Sequence, residues 1–262
     1  MRYVKALELS ELQFHENSYG VVKRFQFIMS VIKRYFGSSS AALHVLEVGC
    51  GTGNHISIPL AESGLLVTGI DIHPESIEYA QNAGANYSNL KFKVIPLKNC
   101  PNKHYDIVIC SEVLEHVDNY ADFLAEVVNK MAPDHSILIL TIPNGFGPFE
   151  IQSWIWRNMF EDTWPYRLLR YVYHRRKKQP TKIGFLNKDN SHVNFFRFSQ
   201  ITTLFQQTNL NLEEYDGRTF LCGPFVDQVF ILAWLCWINN WLGSVLPYWL
   251  VSGWMFVLSR SK

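Results

Sequence analysis

The sequence predicts an α/β protein built on a doubly wound, mostly parallel, seven-stranded sheet. Three observations carry this reading. Short apolar runs alternate with amphipathic helical segments along most of the chain. The first run, 44–48, leads straight into a glycine-rich turn, and the second, 66–70, ends on an acid, Asp71. Strands that alternate with helices form a parallel sheet covered on both faces, and such sheets bind ligands at the carboxyl ends of their strands.

The elements follow in order. Val21, Val22, Phe25, Ile28, Met29, Ile32 and Phe36 recur at three- and four-residue spacing, which predicts an amphipathic helix over 19–36. Ser38-Ser39-Ser40 reads as a loop before strand 44–48, and a helix over 54–63 follows the glycine turn. Strand 66–70 precedes a helix over 74–83, which starts at Pro74 with Glu75 in its first turn. A missing N–H and a negative charge both suit a helix start. Runs 90–95, 105–110 and 136–142 predict three further strands, with a helix over 120–131 between the last two. A helix over 199–208, a strand over 210–215 and a terminal strand over 254–259 complete the set.

Of the 262 residues, 48% are hydrophobic, 15% aromatic and 18% charged, and the net charge is +1. This excludes a disordered chain, a collagen and a coiled coil. A net charge near zero argues against a general nucleic-acid binder. The cysteines at 50, 100, 110, 222 and 236 show no C-x-x-C or zinc spacing. They read as reduced, mostly buried thiols of a cytoplasmic protein. The first residues carry too much charge for the apolar region of a signal peptide. All eight tryptophans lie beyond residue 150, and segment 146–182 carries eight Lys/Arg against three acids. The expected organisation is one domain over 1–262 with two insertions. One is a Trp-rich helical insertion at 150–182 that acts as a lid over substrate. The other is an apolar aromatic insertion at 222–252, forming a hairpin before the last strand.

The most specific motif is Val45-Leu46-Glu47-Val48-Gly49-Cys50-Gly51-Thr52-Gly53. Its glycines let the backbone turn sharply and approach a ligand with no Cβ in the way. A dinucleotide fingerprint needs G-x-G-x-x-G, but the sixth position is Asn54, and no Lys-Ser/Thr pair makes a phosphate loop. The ligand therefore lacks a diphosphate. Asp71, 18 residues beyond Gly53, offers a carboxylate to both hydroxyls of an adenosine ribose. A tight turn with a helix-capping acid is the plainer alternative.

These motifs, with Tyr105-Asp106-Ile107-Val108-Ile109-Cys110-Ser111-Glu112-Val113-Leu114-Glu115-His116-Val117, resemble the class I S-adenosylmethionine-dependent methyltransferases of the type 11/23 kind. The resemblance covers about 40–145 well and 199–216 loosely. It implies a Rossmann-like methyltransferase fold with S-adenosylmethionine as cofactor. It places Gly49, Cys50, Gly51 and Gly53 on the methionine part with Glu47 nearby, Asp71 on the ribose and Ile72 on adenine. Ser111, at the end of the fourth strand, joins the cofactor set. The family often has an acid after the third strand that touches the adenine amine; here the stretch is Val94-Ile95-Pro96-Leu97-Lys98, and backbone groups near Leu97 take that role.

Glu112, Glu115 and His116 stand at i, i+3 and i+4, a spacing that places them on one face of a helical turn. Two carboxylates and an imidazole suit a divalent metal such as Mg, Mn, Fe or Zn, which would acidify an acceptor hydroxyl. The same string resembles the metal-binding segment of the ubiquinone-pathway O-methyltransferases and of the small-RNA 3′-terminal methyltransferases, and His192 is the candidate fourth ligand. The alternative is a helix start beneath the cofactor. In that case His116 and His192 are the candidate general bases, since imidazole titrates near neutral pH.

Phe230, Trp234, Trp237 and Trp241 form an aromatic stripe, opposite Ile231, Leu235, Ile238 and Leu242. A helix over 228–242 is about 22 Å long, short of a ~30 Å hydrocarbon core. It reads either as a hairpin buried against the sheet or as an interfacial element that meets lipid. Together with the basic cluster Arg175–Lys178, the tryptophans suggest peripheral attachment at the inner face of a membrane. The expected activity is O-methylation of a small or lipid-linked acceptor, such as a glycan or quinone. N-methylation of an amino sugar and a non-catalytic membrane-docking protein of the same fold are the alternatives.

Overall fold

The computed structural model describes residues 18–37, 43–101, 104–148, 193–221 and 233–261. Helix α1 is Ser18–Phe36, its apolar stripe Val21, Phe25, Ile28 and Ile32 turned inward. Strand β1 (His44–Val48) runs through the glycine turn into α2 (Ser57–Glu62). Then come β2 (Leu66–Asp71), α3 (Pro74–Ala83) and β3 (Leu90–Val94). Strand β4 (Ile107–Ser111) is followed by a 3₁₀ turn, Leu114–His116, by α4 (Tyr120–Lys130) and by β5 (Ile137–Pro143). The last elements are α5 (Phe198–Gln207), β6 (Leu210–Gly217), α6 (Ala233–Val245), a 3₁₀ turn Tyr248–Leu250 and β7 (Gly253–Arg260).

Among the described residues, seven strands form one sheet in the order β3-β2-β1-β4-β5-β7-β6. Strands β1 to β5 are parallel, while β7 runs antiparallel to both β5 and β6. The order reverses at β1, so the loops after β1 and β4 part at their carboxyl ends and leave a crevice there.

Alternate residues of each central strand serve opposite faces, as the pleat requires. Val108, Cys110, Leu138, Leu140 and Phe256 pack with α4 and α5 residues such as Leu124, Ile201 and Phe205. Ile107, Ile109, Ile137, Ile139 and Val257 pack with Ile28, Ile32 and Leu60 from α1 and α2. Both faces are therefore covered, which is why β4 and β5 read as continuous apolar runs.

The predicted elements are present with boundaries shifted by a few residues, and the doubly wound seven-stranded sheet is the observed one. Lid segment 150–182, His192 and the first part of insertion 222–252 lie outside the described residues. What is described of that second insertion is helix α6 and a 3₁₀ turn, with Trp234, Trp237 and Trp241 facing outward. Among the described residues Cys50, Cys100, Cys110 and Cys236 are buried.

Candidate active site

The glycine loop is built on backbone geometry. Gly49, Gly51 and Gly53 adopt φ of 71°, 52° and 72°, the left-handed region that a Cβ disfavours. At Gly49 a Cβ would overlap the Val113 methyls, and at Gly53 the Phe92 ring. At Gly51 nothing among the described residues lies within 4 Å of that position. Gly49 and Gly53 thus seat the loop on the protein, and Gly51 leaves its outer side open for a ligand.

Strand β2 holds the loop from beneath. Ile70 O accepts N–H bonds from Gly49 (2.8 Å) and Cys50 (3.0 Å). Asp71 Oδ2 accepts the Gly51 N–H at 2.8 Å and Oδ1 the His73 N–H at 2.9 Å. The acid expected to take a ribose is therefore also the clamp of the loop. Ile72, next to it, is 64% exposed, a large apolar side chain displayed at the mouth. Leu97 stands in a 3₁₀ turn, Leu97–Asn99, with its side chain in the core. Ile95 N–H, before it, bonds to Asp71 O at 3.0 Å. These features fit an adenosyl ligand: an open cradle at Gly51, a carboxylate beside it and an exposed apolar wall.

Glu47 and Cys50 are buried at the floor. Burial pushes the Glu47 carboxyl up to about 8, against the opposing pull of the Ser57 hydroxyl that donates to it and of the Arg24 charge. Burial likewise pushes the Cys50 thiol up, with help from the Glu47 and Asp71 charges, so Cys50 stays a thiol.

The other wall begins at the end of β4. Ser111 Oγ and Thr141 Oγ1 lie 2.9 Å apart, and Thr141 donates to Glu112 Oε1 at 3.0 Å. Because the Thr141 proton goes to Glu112, Ser111 is the donor of the first bond. Glu112 Oε2 accepts from Arg218 Nη1 at 2.7 Å, and Arg24 Nη1 lies 3.9 Å from Oε1. Burial raises the Glu112 carboxyl, yet the two arginines and these hydrogen bonds outweigh it and hold it below the ordinary value. Glu115 is fully buried, and burial, then the Glu112 charge, push its carboxyl well up. Among the described residues its Oε2 has no hydrogen-bond partner.

The one-face arrangement of Glu112, Glu115 and His116 is not what the structure shows. Glu112 precedes the 3₁₀ turn with φ 55°, which turns its carboxylate toward the arginines. His116 Nε2 is 3.8 Å from Glu115 Oε1. Among the described residues no three His, Cys, Asp or Glu side chains group to hold a metal ion. Glu112 is bonded to Arg218, and His192, the fourth candidate, lies outside the described residues, so no step is derived through a metal. The residue after His192, Val193, donates its N–H to Glu115 O at 3.0 Å.

Arg24, Thr141 and Arg218 do not figure in any motif. Arg24 did leave a signal: it sits inside the stripe Val21, Phe25, Ile28, where a charge must find a partner. Arg218 left none, because its partner is 106 residues away.

Known proteins fit this geometry. A methyltransferase-domain profile matches residues 22–215. The ubiquinone biosynthesis O-methyltransferase of Rickettsia typhi is 29% identical over 202 residues, 75% of this chain and 71% of the relative. Its counterpart in Rickettsia canadensis is 38% identical over 123 residues, 45% of this chain and half of the relative. In fold, the chain is similar to PKMT2 from Rickettsia typhi in complex with AdoHcy (TM-score 0.58, 16% identity, 94% of this chain and 54% of that one). It is also similar to magnesium protoporphyrin IX methyltransferase from Synechocystis PCC 6803 with bound SAH (TM-score 0.53, 17% identity, 92% and 84%). With the profile spanning well over half its length, the chain belongs to the methyltransferase-domain family and is an S-adenosylmethionine-dependent methyltransferase.

Proposed function

We propose that this enzyme methylates a hydroxyl oxygen of a quinone-like, small or lipid-linked acceptor. The supporting relatives are named ubiquinone biosynthesis O-methyltransferases. The observation that carries the reading is the place of His116. It stands in a 3₁₀ turn five residues past the end of β4, with 24% of its side chain exposed. S-adenosylmethionine supplies a methyl already activated on sulfonium. His116 takes the acceptor O–H proton as the oxygen forms its bond to carbon, which leaves a neutral ether and a protonated imidazole. His192 is a second candidate base, outside the described residues. Ser111, committed as a donor to Thr141, presents only lone pairs and so receives an N–H or O–H of a ligand.

The test is methyl transfer to a catechol or hydroquinone, read as a gain of about 14 Da. His116→Asn should lower kcat at least a hundredfold, with S-adenosylmethionine affinity unchanged. Equal turnover in the variant overturns the assignment of the base. Turnover is expected to persist in chelator; loss of activity restored by added Mg, Mn, Fe or Zn would return a metal to the site. A lipid-linked acceptor would be met at the cytoplasmic face of a membrane.

A further inference from the structure

Helix α6 turns its small and polar residues Cys236, Asn239 and Gly243 fully inward, with Leu235, Ile238 and Leu242 half-buried beside them. Asn239 pairs with the Leu221 backbone through two bonds of 2.8 Å. Lys23 of α1 donates to Asn240 O at 2.8 Å and to Ser244 Oγ at 2.7 Å. Gly243 lies so close to the chain after β6 that a Cβ would meet Arg218 O at 2.8 Å. Its outward side is the reverse: Trp234, Trp237, Trp241 and Val245 are 59%, 66%, 51% and 54% exposed. Spacings of three, four and four residues put these four on one face. The rings of Trp237 and Trp241 stack 6.4 Å apart at 8°, so this part of the face is flat.

Among the described residues nothing covers these indoles, which leaves an apolar surface for a partner. The face amounts to about 500 Å², below the ~800 Å² per partner of a stable protein interface. It also lacks ions to pair with a protein, because no Asp, Glu, Lys, Arg or His occurs from 229 to 258. Tryptophan without charge is the composition of the lipid–water boundary, where an indole finds an apolar and a wet side together.

We infer that the Trp234–Trp237–Trp241 face of α6 seats the enzyme on a lipid surface. The inward side of this helix packs on Arg218, which holds Glu112. The seat therefore lies against the acceptor wall of the crevice and sets that wall near the lipid boundary. The inference goes beyond the proposed reaction and holds whichever acceptor atom is methylated.

The experiment uses the full chain with phosphatidylcholine vesicles, with and without phosphatidylglycerol, and with brominated acyl chains. Expected are co-sedimentation and quenching of tryptophan emission by the brominated chains. The double variant Trp237→Ser/Trp241→Ser should bind vesicles at least tenfold more weakly. It should bind S-adenosylmethionine as the parent does, which reports an intact fold. Three results overturn the inference. One is no vesicle binding by the parent. Another is undiminished binding by the double variant, which places the contact elsewhere, as in 150–182. The third is a parent dimer that the double variant converts to monomer in sedimentation velocity, which assigns the face to a second copy.

Discussion

On one side of the crevice, the glycine loop is held by groups near it in sequence. Ile70 accepts the Gly49 and Cys50 N–H groups, and Asp71 reaches Gly51 across 20 residues. On the other side, Glu112 depends on Arg218, 106 residues away, and α6 is tied to α1 by Lys23 across more than 200 residues to Asn240. The cofactor side rests on backbone conformation, which few substitutions can imitate. The Glu112 side rests on charges brought together by the folded sheet. A family with one cofactor and many acceptors needs that division.

The largest effect that separates the two sides is expected within the loop. Gly53→Val forces a left-handed φ on a β-branched residue and drives its Cβ into Phe92. This should cost about 4 kcal/mol of stability in denaturant titration, with cofactor binding lost. Gly51→Val meets no protein atom, so it should cost only about 1–2 kcal/mol yet weaken S-adenosylmethionine by more than a hundredfold in calorimetry. Equal stability losses in the two would mean that Gly51 is a packing position and the cradle lies elsewhere.

Arg218→Ala probes the opposite side. It leaves Glu112 with a quarter of its side chain exposed and its nearest guanidinium gone. The loss should be about 3 kcal/mol at pH 7, at the low end for a buried pair. The sign follows from linkage. A carboxyl held below its ordinary value stabilises the fold above its unfolded pKa, and that stability is lost as pH falls through the folded pKa. Parent and variant should therefore converge at acid pH. A gap that stays constant down to pH 3 would show that Arg218 acts by packing alone.

A smaller effect is expected at Asp71. The sequence presents this acid as a ligand group free of the core, but its two oxygens accept the Gly51 and His73 N–H groups. Asp71→Ala should thus lower stability by about 2 kcal/mol as well as abolish cofactor binding. Asp71→Asn, which keeps one acceptor, should recover part of the stability and little of the affinity. Stability unchanged in Asp71→Ala would make the acid a ligand group only.

How much was legible follows from the same contrast. The alternation of runs such as 107–111 and 137–143 with helical stripes exposes the sheet, because parallel strands are apolar on both faces. The glycine loop and Asp71 are legible because their contacts are local. The arrangement of Glu112, Glu115 and His116 was not. Helical spacing assumes helical dihedrals, and the positive φ at Glu112 is set by partners that only the folded sheet supplies. The Trp stripe of α6 was legible as a stripe. Which way it faces was not, since either side of an all-apolar helix can be buried, and Asn239, Gly243 and Lys23 decide it.

The last effect lies beneath the loop, where Glu47 joins the two sides through Ser57 and Arg24. Its carboxyl is raised to about 8 in the fold, chiefly by burial. The fold therefore holds a proton that the unfolded chain releases near pH ~4.3. Stability from this group is complete below that value and is lost as pH rises to about 8. Glu47→Gln keeps the shape and an oxygen for Ser57 but cannot ionise. Glu115, raised in the same direction, acts equally in parent and variant and cancels in their difference. In melts of cofactor-free protein, the variant's Tm should gain on the parent's by about 10 °C between pH 5 and 8 and no further above. A difference that does not change with pH across that window would mean that Glu47 is ionised in the fold, paired with Arg24, and that the floor of the cofactor site carries a charge.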